Sequence, residues 1–296
     1  MSRKIPRSNP DKVFFPEPGI TKGEVVDYYE RIADHLLPHV AGRPLVLQRF
    51  PDGLGGGGFY QKNTPDHVPD WIERVAVATA DGGTTTYSVI TDRDGLVYLA
   101  DQAALVLHTL LAEAADPLRP VEVVFDLDPA SDELRPVRDA ARELRAVLTD
   151  LGLAPRVKSS GSRGLHVVVD VIDADADFDL TRGFARDVAE VVAGRGDFTL
   201  EQRTAQRRGR LFLDTLRNAR ANHAVAPYSL RARPDAPVAA PLDWDEALSS
   251  DFHPRRITIS NVFRRLGQRE DPWANPDRPT STIAQARRDL AGGTGH

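Results

Sequence analysis

The sequence predicts an α+β protein built on a mixed or antiparallel sheet. Strand-like and helix-like runs follow one another without the regular beat of a doubly wound parallel sheet. Two stretches, 76–90 and 156–170, read as strands folding back through short turns rich in Gly and Ser, which is hairpin chemistry. At 296 residues, 41% hydrophobic and 27% charged, the chain has the composition of a globular protein and the length for one large domain or two lobes.

Taken in order, Thr21 is placed to N-cap a helix from Glu24 to Val40, where Val25, Val26, Tyr29, Ile32, Ala33 and Leu36 recur at helical spacing. Residues 43–50 read as a strand and 53–58 as a flexible glycine loop. Phe59 and Tyr60 follow that loop, as either a tethered core edge or an exposed stacking platform. The 76–90 hairpin is expected to turn at Asp81, Gly82 and Gly83, with its strand-prone Thr84 to Tyr87 on the return. Residues 101–115 read as a helix carrying His108 among apolar neighbours. A strand at 121–128, an amphipathic helix at 134–151, the 156–170 hairpin, a helix at 181–192 and a short strand at 211–213 ending in Asp214 complete the pattern. Residues 280–296, with Gly292, Gly293 and Gly295, read as a frayed helix and flexible end.

The chemistry concentrates in the run VEVVFDLD, Val121 to Asp128. In a strand, residues i and i+2 share a face, so Asp126 and Asp128 project together, and Pro129 stops the ladder behind them. Two neighbouring carboxylates repel and raise one pKa unless a positive charge sits between them, so a divalent cation is the expected occupant. The plain alternative is a solvated turn after a buried strand. The second feature is the turn SSGSRGLH, Ser159 to His166: glycines let backbone N–H groups approach an anion, hydroxyls donate, and Arg163 supplies a planar fork suited to phosphate. The third is Asp214, preceded by Arg203, Arg207, Arg208 and Arg210. Together the three suit phosphoryl transfer by two metal ions.

Composition narrows the setting. Cysteine is absent, which excludes disulfides, thiol nucleophiles and cysteine zinc sites. The net charge of −5 argues against coating nucleic acid by bulk attraction and leaves room for a local basic groove. The opening MSRKIPRSNPDK has no apolar core of signal-peptide length and no run approaches a membrane span, so a soluble cytoplasmic, nucleoid-associated protein without membrane partners is expected.

FDLDP, SGSRGLH, the LFLD strand and VAPYSLRARP, Val225 to Pro234, occur in an order that resembles the polymerase domain of bacterial DNA ligase D, a branch of the archaeo-eukaryotic primase superfamily. The likeness runs from about Asn9 to Trp244. It implies a primase-polymerase fold with sheets flanked by helices in two lobes. Residues 1–118 would form an N-terminal lobe with DNA-end and template contacts, 119–279 a catalytic core, and 280–296 a flexible tail. It also implies a DNA-dependent polymerase that prefers ribonucleotides and acts in end joining and gap filling with two divalent ions, Mn²⁺ or Mg²⁺. By position, Asp126, Asp128 and Asp214 match the metal-binding carboxylates. Ser160, Arg163, His166, Arg207 and Arg231 match nucleotide contacts, with His108 near the catalytic centre; the family more often has lysine at Arg163. Phe59 and Tyr60 match an aromatic pair facing template or base, with Lys62 beside them, and Lys12 and Lys22 match a pair that holds a downstream 5′-phosphate. Gln48 stands where some relatives carry lysine, and Thr109 to Leu111 replace aromatic and proline positions.

The implied partners are gapped or 5′-phosphorylated DNA, nucleoside triphosphates, a separate ligase, since no lysine-x-aspartate-glycine motif is present, and the Ku end-binding protein. Two other readings compete. One is a nucleic-acid-bridging module without catalysis. The other is a phosphatase of the haloacid dehalogenase class, for which Ala130 and the single later lysine, Lys158, are poor matches.

Overall fold

The computed structural model describes residues 3–79 and 82–293, which form two compact units. The first comprises residues 1–115, 223–240 and 257–271, and the second comprises 116–222, 241–256 and 272–296. The single cut expected near 118 is therefore replaced by a chain that crosses at 115/116 and later returns twice. The return has a physical cause in backbone pairing: His223–Val225 completes a sheet by pairing with Ala104–Leu110.

The first unit centres on an antiparallel sheet in the order His223–Val225, Ala104–Leu110, Pro44–Arg49, Thr84–Val89, Glu73–Ala78, with Phe59–Gln61 also paired to Pro44–Arg49. The 73–89 hairpin is as expected, although Asp81 of its turn lies outside the described residues. The helix expected across 101–115 is instead the strand Ala104–Leu110, preceded by the helix Arg93–Asp101 and a turn at Ala103 with φ +62°. Every residue of that strand is buried, and strands pair on both of its edges. With only His108 and Thr109 among apolar residues, the run lacks the polar face that separates the helical period from the strand period. The helix expected over 24–40 is two, Lys22–Arg31 and Ala33–Val40, broken at Ile32. Thr21 caps the first through a reciprocal capping box with Glu24. The phenols of Tyr28 and Tyr29, both buried, donate to the carbonyls of Tyr228 and Leu105 at 2.6 and 2.8 Å and tie the 225–231 segment into this core.

The second unit is built on a mixed sheet in the order Phe198–Thr199, Leu211–Asp214, Glu122–Asp128, Leu165–Asp170, Arg156–Ser159, Pro241–Leu242. All pairs are antiparallel except the first. The amphipathic helices Arg135–Asp150 and Phe178–Ala193 pack against this sheet and each other. In the acid-bearing strand Val123, Phe125 and Leu127 occupy one face, buried at 0–1%, and alternation turns Asp126 and Asp128 to the opposite face. The tail is ordered over Ile283–Gly293: Ile283 and Ala286 are buried, the backbone N–H groups of Ile283 and Ala284 donate to the Asp173 carboxylate, and Arg287 pairs with Asp187. These anchors correct the flexible tail expected from 280; residues 294–296, including Gly295, lie outside the described residues. Among the described residues no helix is long and apolar enough to cross a membrane.

One glycine fixes how the 156–170 hairpin meets the acid strand. A Cβ on Gly164 would overlap the carbonyl oxygen of Leu127, between the two acids. Gly164→Ala is therefore expected to destabilise the protein by about 3 kcal/mol, because backbone must move to admit the methyl. Gly267→Ala, on an exposed helical position with open space around it, should leave stability unchanged or raise it by up to about 1 kcal/mol. Thermal melts of the two variants check this, and a Gly164→Ala protein as stable as wild type would refute the close approach.

Candidate active site

Strand register brings the acids together. Asp126 lies directly opposite Asp214 on one neighbouring strand and opposite His166 on the other, and His166 in turn lies opposite Lys158. Directly opposed residues share a face, so Lys158, His166, Asp126 and Asp214 form one row across four strands, with Asp128 two residues along. His166 Nε2 stands 3.5 Å from Asp126 Oδ1.

Arginines supply the positive charge beside these acids. Arg163 Nη2 donates to Asp128 Oδ1 at 2.6 Å, and Arg207 Nη1 donates to Asp128 Oδ2 at 3.2 Å. Arg207 is fixed further by bonds to the carbonyls of Glu201 and Gln202 and by stacking on Phe212, 4.0 Å from the ring centre. Arg163 is more than half exposed, on the glycine turn. Arg217 spans two acids, with Nη2 at 3.4 Å from Asp126 Oδ2 and Nε at 3.9 Å from Asp214 Oδ2. In the turn itself the Ser160 hydroxyl oxygen accepts from the backbone N–H groups of Ser162 and Gly164, at 3.2 and 3.1 Å. Its oxygen is thus engaged in shaping the loop, and its proton is what it can offer an anion.

Burial pushes the Asp126 carboxyl up to about 6, with Asp214 and Asp128 adding repulsion and Arg217 and Lys158 opposing it. Among the described residues no group of three or more His, Asp or Glu side chains is placed to hold a metal ion by itself. The donor set nevertheless suits a hard cation at an open position. Its acids share a face, one of them is short of countercharge, and hard divalent ions take oxygen ligands from a few carboxylates and from substrate phosphates.

Sequence reasoning missed Arg217 and Lys158 as members of this cluster. Arg217 is one of a run of arginines that local pattern does not distinguish. Lys158 precedes the SSGSRG turn, and only the hairpin register shows it beside His166.

Lys12, Lys22, Phe59, Tyr60, Lys62, His108 and Arg231 all belong to the first unit. Backbone pairing brings the two N-terminal lysines near each other, the Lys22 N–H donating to the Lys12 carbonyl at 2.7 Å. Their side chains differ sharply. Lys12 pairs with the open carboxylate of Asp52 at 2.6 Å, whereas Lys22 is 5% exposed, 2.8 Å from Asp101, and donates to Ser8. Phe59 and Tyr60 are half exposed. Tyr60 leans on the rings of His108 and His223 at 5.7 and 6.0 Å, and Arg49 sits 5.8 Å from the Phe59 ring, so the pair is exposed and backed. Lys62 is exposed beside them, and Arg231 is half-buried after the 225–230 segment.

A family model described as LigD, primase-polymerase domain, matches residues 21–273. The chain belongs to the LigD primase-polymerase family. The multifunctional non-homologous end joining protein LigD of Mycolicibacterium smegmatis is 36% identical to it over 93% of this chain and 36% of that protein. The bifunctional non-homologous end joining protein LigD of Bacillus subtilis is 32% identical over 95% of this chain and 46% of that protein. The chain thus spans between about a third and a half of the length of these LigD proteins. A solved structure, the polymerase domain from Mycobacterium tuberculosis ligase D in complex with DNA, superposes with a TM-score of 0.84 at 30% identity, covering 91% of this chain and 96% of that one. The α+β primase-polymerase fold expected from the motifs is therefore the fold of the chain, and the match removes the phosphatase reading.

The raised Asp126 carboxyl carries a stability consequence. Its folded pKa of about 6 lies above the ordinary 3.8, so its contribution is favourable below about pH 4 and is lost as pH rises through 6. In chelator-treated protein, Asp126→Asn is expected to raise stability at pH 7.5 by about 2–3 kcal/mol, with the gain fading toward pH 4.5. Thermal or urea melts at the two pH values read this out; a gain independent of pH would place the effect elsewhere.

Proposed function

We propose that this chain is a DNA-dependent nucleotidyltransferase that adds nucleotides, with a preference for ribonucleotides, to DNA ends and short gaps during end joining. The observation that carries the reading is the register that sets Asp126 against Asp214, with Asp128 on the same face, within a LigD primase-polymerase fold. Support for DNA as substrate comes from the solved relative, which is a complex with DNA, and from the end-joining names of the curated relatives.

On this reading Asp126, Asp128 and Asp214 hold two divalent cations. Bound there, Mn²⁺ or Mg²⁺ would activate a 3′-hydroxyl and stabilise the leaving pyrophosphate. Arg163, Arg207 and the Ser160 hydroxyl bind triphosphate oxygens: the two guanidiniums already face the acid site and exchange a carboxylate for a phosphate, at about 1.5–3 kcal/mol for each charged hydrogen bond. His166 orients Asp126 or donates to the nucleotide. Arg231 and His108 as nucleotide contacts, and Phe59, Tyr60 and Lys62 as DNA contacts, rest on the resemblance and on their exposure or chemistry. In the cell the product would be sealed by a ligase activity at ends held by Ku.

A primer-extension assay on a gapped duplex, comparing ribo- with deoxyribonucleotides and Mn²⁺ with Mg²⁺, tests the proposal. Wild type is expected to extend, and Asp126→Ala, Asp128→Ala and Asp214→Ala are each expected to lose at least about a thousandfold in rate, since each removes a charge acting in the transition state. Extension by Asp126→Ala at a wild-type rate would sink the assignment, and DNA binding without any extension by wild type would favour a bridging module.

End recognition needs its own test, because the two lysines differ in burial. Wild type is expected to bind a gap with a 5′-phosphate more tightly than one without, with the difference shrinking as salt rises. Lys12→Ala should lose that preference while staying folded. Lys22→Ala should in addition lose about 3–5 kcal/mol of stability by stranding buried Asp101. Equal affinity of wild type for both ends would shift the reading from gap repair to priming.

A further inference from the structure

We infer that Arg217 is a resident counter-ion of the Asp126–Asp214 pair, which an incoming divalent cation must displace, and that this residue thereby sets the metal affinity of the site. The inference rests on reading these acids as metal ligands.

Asp126 and Asp214 face each other across adjacent strands, and both side chains are largely buried, at 17% and 15% exposure. Their charges repel, and one guanidinium addresses both. Its contacts, 3.4 and 3.9 Å, are longer than the 2.6 Å bond of Arg163 to Asp128 and longer than a strong charge-assisted hydrogen bond. The guanidinium therefore acts as a shared countercharge rather than as a locked fork. The Arg217 side chain is also 41% exposed, so it can swing into water with little loss of solvation.

The backbone beneath it cannot move as freely. Arg217 sits in the short turn Leu216–Asn218, and Asn218 is buried. The Asn218 amide donates to the carbonyls of Val124 and Thr215, at 2.8 and 2.9 Å, and its oxygen accepts from the Val124 N–H at 2.8 Å. The Leu216 N–H donates to Asp214 Oδ1, which leaves Oδ2 as the atom facing Arg217. The turn is clamped to the acid strand while the side chain beyond it is exchangeable. The other cations near Asp126 and Asp214 are placed differently. Lys158 is 2% exposed, on the far side of His166, and so is not free to swing into water; Arg163 and Arg207 pair with Asp128.

A cation bound by Asp126 and Asp214 gains their attraction only once the two acids give up that of Arg217. Removing the guanidinium charge should then tighten metal binding, while a residue that merely braced the acids would loosen it when removed.

The test is Mn²⁺ binding to chelator-treated full chain, without nucleotide or DNA, followed by the electron paramagnetic resonance of free Mn²⁺ and by the Mn²⁺-induced rise in melting temperature. Arg217→Gln is expected to bind Mn²⁺ about tenfold more tightly than wild type and to melt lower without metal. Arg217→Lys keeps the charge but cannot span both acids and is expected to bind about threefold more tightly; it carries the test alone if the glutamine variant does not fold. Unchanged or weaker Mn²⁺ affinity in the folded variants overturns the inference. If wild type binds Mn²⁺, Asp126→Ala does not, and the Arg217 variants match wild type, only the counter-ion role fails. If wild type, Asp126→Ala and the Arg217 variants all fail to bind Mn²⁺, the metal reading itself fails.

Discussion

The pairing register of Glu122–Asp128 against its two antiparallel neighbours governs the second unit. A slip of one residue would turn Asp126 and Asp128 into the face where Val123, Phe125 and Leu127 are buried, and would take Asp214 and His166 out of line with them. The register is held by groups that are not acids. Asn218 pairs with both backbone groups of Val124, and Gly164 lets the neighbouring turn close on the Leu127 carbonyl. The core thus holds carboxylates together that would separate if left to their own electrostatics.

That arrangement leaves Asp126 short of countercharge, with burial as the main cause and two acids compounding it. Arg217 tempers that deficit while Arg163 and Arg207 pair with Asp128, and the three are fixed to different degrees. Arg207 is held by two carbonyls and an aromatic ring, Arg163 is the exposed residue of a largely buried turn, and Arg217 reaches two acids loosely. Planar guanidinium forks suit both carboxylate and phosphate, so a group that pairs with an acid in one state can pair with a triphosphate in another.

The first unit treats its charges in the opposite way. Lys22 is enclosed with Asp101 and Ser8, an arrangement costly to break, while Lys12 and the exposed faces of Phe59 and Tyr60 remain open to solvent. Phe59 and Tyr60 stand on a sheet whose interior strand Ala104–Leu110 is wholly buried, and the His108 it carries backs the Tyr60 ring.

By itself the sequence determined what depends on neighbours a few residues away. The strand-end acids, the hydroxyl and glycine turn, the Thr21 cap and the amphipathic helix after Pro129 follow from side-chain period and turn chemistry, and the order of four motifs carried the family and the fold class. Tertiary structure decided everything that depends on which strands meet. Ala104–Leu110 is a strand because both of its edges are paired, which a mostly apolar run does not announce. The 223–240 segment returns to the first unit because His223–Val225 finds its edge there. Lys22 is enclosed and Arg217 singled out by acids supplied from other strands and helices, Asp101 for one and Asp126 with Asp214 for the other. Local pattern records the period of a segment, whereas register and ion pairing are fixed only when distant segments close on one another.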